Sequence, residues 1–161
     1  MSLHLVEYDI FATGAKYIAH QCNSVSKGSA AGIARVIFDK YPYADIYKDR
    51  KEDSVPGTID IAGDGMFYRG IINMFSQYYP GKGQDDPSKF DCYADRKKWF
   101  HQCLMAIADI KDLHSVAFPF RIGCNLAGGD WNWYEQKLNK FADYVEAKCG
   151  AEVIIYKNEQ V

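Results

Sequence analysis

Apolar and polar residues alternate from Leu3 to Asp9, the period of a strand with one solvated face. Gly14 to Gln21 contains the run Tyr17-Ile18-Ala19, which predicts a second strand buried on both faces. A polar, small-residue stretch follows from Asn23 to Ala31. Ile33, Val36, Ile37 and Tyr41 then recur at helical spacing, and Pro42 stops that helix. Gly57 to Ala62 and Met66 to Phe75 flank Gly63-Asp64-Gly65 and predict a hairpin. Tyr78 to Phe90, rich in Gly, Pro and Asp, reads as a loop. Asp95 to Ile110 sets Trp99, Cys103, Ala106, Ile107 and Ile110 on one helical face. Ser115 to Ile122 reads as a strand. Trp131 to Lys148 is a second amphipathic helix, through Tyr134, Leu138, Phe141 and Val145, with Gly150 as its cap. Val153 to Tyr156 is the last strand.

Strands alternating with helices predict an α/β protein with a mostly parallel sheet, and the hairpin makes that sheet mixed. The length, 161 residues, fits one domain over 1–161. A chain of this size buries roughly 70% of its unfolded surface and needs no disulfide or metal to hold its core. Ligands of such folds sit beyond the carboxyl ends of the strands. That rule singles out two segments, each a small-residue loop after a strand and before a helix.

Charge and cysteine usage narrow the function classes. The net charge of -2 argues against a broad nucleic-acid footprint. A small anionic ligand is still compatible, because main-chain amides hold phosphate without net positive charge. The cysteines Cys22, Cys92, Cys103, Cys124 and Cys149 are odd in number and form no CxxC, which fits a reducing, cytoplasmic compartment. No secretion signal and no apolar run of about 18 residues is present, so no membrane partner is expected. His4, His20, His101 and His114 have no metal-ligand spacing, and neither a metal nor another cofactor is expected.

The first loop ends Ser29-Ala30-Ala31-Gly32-Ile33-Ala34. It has almost no side chain, so a ligand can approach the backbone, and the helix that follows offers free amides. Neither GxxxxGK[ST] nor GxGxxG occurs. His20 and Asn23 stand where the preceding strand ends. The histidine is a candidate general acid or base, with a plain hydrogen-bonded residue as the alternative. The asparagine suits a pair of ribose hydroxyls. The second loop is Gly123-Cys124-Asn125-Leu126-Ala127-Gly128, leading through Gly129 to Asp130 and Trp131. Asp130 reads either as the helix cap or as a carboxylate that positions water. Arg121 suits a phosphate or a surface carboxylate equally. Cys124 reads as a small buried thiol and not as a nucleophile.

Together His20-Gln21-Cys22-Asn23, the turn ending Gly32-Ile33-Ala34, Lys40-Tyr41-Pro42, Gly57-Thr58, Ile72 to Gln77 and Arg121 through Trp131 resemble a macrodomain over nearly the whole chain. The similar branch holds phage and bacterial macrodomains, ADP-ribose 1″-phosphate phosphatases and terminal ADP-ribose glycohydrolases. The resemblance implies a three-layer α/β/α sandwich with ADP-ribose bound at the strand ends. It places Asp9 and Ile10 at the adenine, and Asn23 at the distal ribose. Ser29, Ala30, Ala31, Gly32, Ile33 and Ala34 would form one phosphate loop. Gly123, Cys124, Asn125, Leu126, Ala127 and Gly128 would wrap the diphosphate and distal ribose. His20 matches a histidine of the phosphatase branch.

The implied activity is metal-independent hydrolysis of ADP-ribose 1″-phosphate or of an ADP-ribosyl conjugate, with His20, Asn23 and Asp130 as the catalytic set. The alternative is a non-catalytic reader of ADP-ribosyl groups. The expected partner is ADP-ribose or an ADP-ribosylated substrate, with nucleic acid only as an ADP-ribosylated target. The expected place is the cytoplasm, that of the host cell if the chain is phage-encoded. Glycohydrolases with a lysyl intermediate need a lysine after the central strand and an aspartate in the second loop. The matching stretches here are Phe75-Ser76-Gln77 and Leu126-Ala127, with neither residue present, and Lys82 reads as a solvated loop residue.

Overall fold

A computed structural model describes residues 2–157. Six strands form one sheet: β1 (Leu3–Val6), β2 (Tyr17–Cys22), β3 (Ile59–Ala62), β4 (Gly70–Phe75), β5 (Ser115–Pro119) and β6 (Glu152–Tyr156). Their spatial order is β1-β6-β5-β2-β4-β3. All neighbours are parallel except β3 and β4, which pair as the antiparallel hairpin read from Gly63-Asp64-Gly65. The sheet is therefore mixed and mostly parallel.

Three helices cover it: α1 (Gly32–Lys40), α2 (Tyr93–Ala108) and α3 (Trp131–Cys149). Alternate residues of the central strands feed opposite faces. Ala19, Ile72, Met74, Val116 and Phe118 pack with Phe100 and Leu104 of α2 and Leu138 and Phe141 of α3. Ile18, Cys22, Ile71, Phe75 and Ala117 pack with Ala34, Ile37 and Phe38 of α1. The architecture is an α/β/α sandwich. Gly150, left-handed at φ 71°, ends α3 as its sequence position predicts.

Among the departures from the sequence pattern are two boundaries and one helix face. β1 stops at Val6, and the chain then turns into a short 3-10 helix, Ile10–Ala12, capped by Asp9. β5 stops at Pro119 instead of Ile122, because Arg121 at φ 62° begins a turn. On α1 the buried stripe is Ala34, Ile37 and Phe38, whereas Ile33 and Val36 face solvent. A helix of nine residues buries one stripe, and the stripe that takes the larger Phe38 ring turns Ile33 and Val36 outward.

Candidate functional site

Both small-residue loops leave the carboxyl ends of neighbouring parallel strands, β2 and β5, so the topology brings them to one edge of the sheet. They meet there. A Cβ placed on Gly32 would lie 3.0 Å from Cδ1 of Leu126, which locates the start of α1 against the middle of the second loop.

Both loops carry main-chain donors that have no acceptor among the described residues. Ala31 occupies the cap position of α1 without a side-chain cap, so the first-turn amides of Gly32, Ile33 and Ala34 lack acceptors. In the second loop Cys124 N–H donates to Arg121 O and Gly128 N–H to Asn125 O, while the amides of Asn125, Leu126 and Ala127 have no acceptor among the described residues. Ser29, Ala31, Gly32 and Ile33 are exposed, as are Asn125, Leu126 and Gly128, whereas Ala34, Cys124 and Ala127 are buried.

The second loop keeps its shape through close contacts that admit no side chain. A Cβ on Gly129 would stand 2.5 Å from the Gly123 carbonyl oxygen and 2.7 Å from the Tyr134 ring. Gly123 itself sits at φ 79°. Beneath them Tyr134 is fully buried and packs edge-on against Phe100. Burial pushes the Cys124 thiol up to about 11, which fits an inert thiol better than a nucleophile.

Asn23 is nearly buried, and its amide shapes the first loop. Oδ1 accepts from Val25 N–H (3.1 Å) and Ser26 N–H (2.8 Å), and Nδ2 donates to Ser26 Oγ (2.9 Å). Its backbone N–H donates to Tyr47 OH at 2.7 Å, and its carbonyl accepts from Arg50. Asp130 caps α3, with Oδ1 accepting from Asn132 N–H at 3.1 Å. The residue is exposed and borders a cavity of about 250 Å³ with Tyr93, Lys97, Gly128, Gly129 and Tyr134. Asp9 is exposed beyond the carboxyl end of β1, and its carboxylate accepts from Phe11 N–H at 3.0 Å. Ile10, expected beside a ligand, is buried in the α1-side core. Trp131 packs on Phe120, and Trp133 on Phe100 and Tyr134.

His20 does not stand at the strand end. It lies within β2, opposite Asn73 of β4, with no exposed surface. Its Nε2 is 2.6 Å from Asn73 Oδ1. Asn73 Nδ2 donates to Ala44 O and Asp60, so Oδ1 faces the histidine and Nε2 carries the proton. Phe38 closes the ring edge-on. Burial lowers the imidazole from 6.5 to about 4, and the Asn73 bond offsets only part of that. A histidine so enclosed reaches neither solvent nor a water held in the cleft. The expectation of a general acid or base at this position is corrected to a structural bond between three adjacent strands.

Two features of the site were not legible as such. Lys82, in the segment between β4 and α2, lays its stem against the second loop: a Cβ on Gly128 would meet Lys82 Cγ at 3.0 Å and Tyr93 OH at 2.8 Å. The residue is exposed, as a loop lysine should be, but it is placed at the site. Arg96 anchors this segment from below. Fully buried, it pairs with Asp91 (2.7 Å) and donates to the carbonyls of Gly81, Tyr79 and Ala127, joining the 78–91 segment to the second loop. Arg121 has no carboxylate within salt-bridge distance among the described residues. Among those residues no group of His, Cys, Asp and Glu could hold a metal, and no helix is long and apolar enough to cross a membrane.

No protein-family model matches the sequence, and no curated protein matches it. Solved structures do. The fold is similar to the macrodomain of Mycobacterium tuberculosis DarG, with a TM-score of 0.66 at 21% identity over 96% of each chain. It is similar to a substituted Oceanobacillus iheyensis macrodomain with ADPR, with a TM-score of 0.64 at 17% identity over 98% of this chain and 86% of that one. It is also similar to the Trypanosoma brucei macrodomain in complex with ADP-ribose, with a TM-score of 0.66 at 9% identity over 98% of this chain and 63% of that one. The chain has the macrodomain fold.

Proposed function

We propose that this chain binds ADP-ribose between loops 29–34 and 123–128, and hydrolyses a bond at the distal ribose. The observation that carries the reading is the contact of Gly32 with Leu126, which brings two runs of free amides together at one end of the sheet. Such amides hold a diphosphate without rearrangement and stabilise charge that develops in the transition state. The solved macrodomains with ADPR and ADP-ribose support the choice of ligand.

In this reading Asn23 sets the loop that receives the distal ribose. Asp130 has one oxygen on the α3 cap and the other free to orient a water at the adjoining cavity. His20 takes no part in proton transfer. Lys82, lying along Gly128, is a cation placed for the group attached to that ribose. The single domain over 1–161 belongs to the same proposal, as does the cytoplasm as its place of action.

Titration calorimetry with ADP-ribose, run beside turnover of ADP-ribose 1″-phosphate and of an ADP-ribosylated carboxylate, tests the reading. Wild type binds and turns over. Asp130→Ala keeps binding within about threefold and loses 10²-fold or more in rate, the usual contribution of a positioned base. No heat at millimolar ADP-ribose overturns the whole proposal. Binding with no turnover of either substrate leaves a reader, which the closed hydrogen bonding of His20 and Asn23 favours as the second reading.

A further inference from the structure

The amino ends of β2, β4 and β5, opposite the cleft, enclose an open basin of about 750 Å³. Its wall includes Lys16, Arg69 and His114, with Tyr41, Gly65 and Met66, and no carboxylate among the lining residues. Among the described residues neither Lys16 nor Arg69 is paired with a carboxylate. Arg69, half-buried, donates only to main-chain carbonyls, those of Ala15 at 2.7 Å and Thr13 at 3.0 Å. Lys16 Nζ donates to the Asp112 carbonyl at 2.7 Å. The nearby Asp64 carboxylate is turned onto the amides of its own turn, Met66 and Tyr68. A chain with net charge -2 thus lines this concavity with a lysine and an arginine and with no carboxylate.

Aromatic rings rim the same basin. The β3–β4 turn presents Met66, Phe67 and Tyr68 at 80%, 88% and 63% exposure. Tyr68 meets Tyr43 at 5.7 Å, and Tyr43 meets Tyr41 at 6.0 Å, so the rings run from the tip of the turn down into the wall. The Tyr43 hydroxyl donates to the Arg69 carbonyl and fixes the row to the strand that bears the guanidinium. Three consecutive large apolar residues in water are a cost that folding does not require of a hairpin turn.

We infer that this basin binds a nucleobase-bearing phosphate, as presented by a short single-stranded oligonucleotide. Cations that track phosphate beside exposed rings that stack on bases are the two elements of such sites. A volume of this size admits a nucleotide. A lipid surface, flat on this scale, would meet the turn but leave the concave wall and its guanidinium unused. The site is separate from the ADP-ribose cleft and does not rest on that reading.

Fluorescence anisotropy of a labelled ten-residue oligothymidylate, at about 20 mM salt, tests the inference. Wild type binds in the micromolar range. Phe67→Ala and Tyr68→Ala, both on the surface, each weaken binding about tenfold. Lys16→Ala flattens the salt dependence by roughly 0.7 in the log–log slope. All three variants keep the thermal midpoint and the ADP-ribose affinity of wild type. With the cleft saturated by ADP-ribose, displacement of the oligonucleotide by AMP identifies a mononucleotide as sufficient, and binding by the oligomer alone identifies a strand. No anisotropy change at 100 μM protein, or equal affinities for wild type and the ring variants, overturns the inference. So does sedimentation with phosphatidylserine vesicles that Phe67→Ala abolishes while oligonucleotide binding is absent.

Discussion

His20 shows how one residue type carries two meanings. A polar side chain near the end of an apolar strand signals a site when only the sequence is read. In the fold it is one end of a polar rung, Asp60 to Asn73 to His20, whose members come from three strands and lie up to 53 residues apart. No pattern along the chain announces that partnership, because each member satisfies a neighbour across the sheet. The rung has a pH signature. Unfolded, the imidazole takes its proton near 6.5; folded, it resists until about 4. The unfolded state therefore binds more protons between those values, so stability is complete above 6.5 and falls as the pH drops toward 4. The whole effect is roughly 3 kcal/mol. Urea midpoints measured from pH 7 to pH 4 should fall for wild type, and His20→Gln, though less stable at neutral pH, should lose that part of the slope. A variant with an unchanged slope would mean that the proton is taken up elsewhere.

At the scale of elements, the two small-residue loops were legible because each follows an apolar strand and precedes a helix with small residues between. Their close contacts, Gly129 on Gly123 and Gly32 on Leu126, are the physical reason for those small residues. The 78–91 segment was not legible. Its Gly, Pro and Asp content marks a loop, but its order comes from Arg96, a charged residue that shares the buried face of α2 with Trp99 and Cys103. Asp91 accepts from Tyr78 N–H and Tyr79 N–H at 3.0 Å each while its carboxylate holds the guanidinium. Removing one partner strands a buried charge, at a cost of about 3–5 kcal/mol. Arg96→Met should lower unfolding stability by that amount. Native-state hydrogen exchange should show the Tyr78 and Tyr79 amides opening before the strands of the sheet do. Exchange at those amides as slow as in wild type would assign the order of this segment to its aromatic contacts, Tyr78 and Phe90 above all, and not to the ion pair.

For the whole molecule, the central question is whether the cleft and the two cores respond as one body. β2 contributes to both cores, through Ala19 on one face and Ile18 and Cys22 on the other, and its carboxyl end begins the first small-residue loop. The second loop rests on Tyr134, which belongs to the α2–α3 core. A ligand held by both loops, as proposed, would couple to both layers, since the proposed grip needs α1 and α3 docked on the sheet. Saturation at 100 times the dissociation constant adds about 2.7 kcal/mol to the folded state. For a chain of this length each kcal/mol moves the thermal midpoint by roughly 2–4 °C. ADP-ribose should thus raise the midpoint by about 5–10 °C, in a single transition that coincides by near- and far-ultraviolet circular dichroism. Two transitions, with ADP-ribose shifting only one, would show that the layers unfold apart and that the loops are coupled to one core alone. A single shifted transition requires the amide cleft and the cores beneath it to form one cooperative unit, which is the condition for a rigid diphosphate grip.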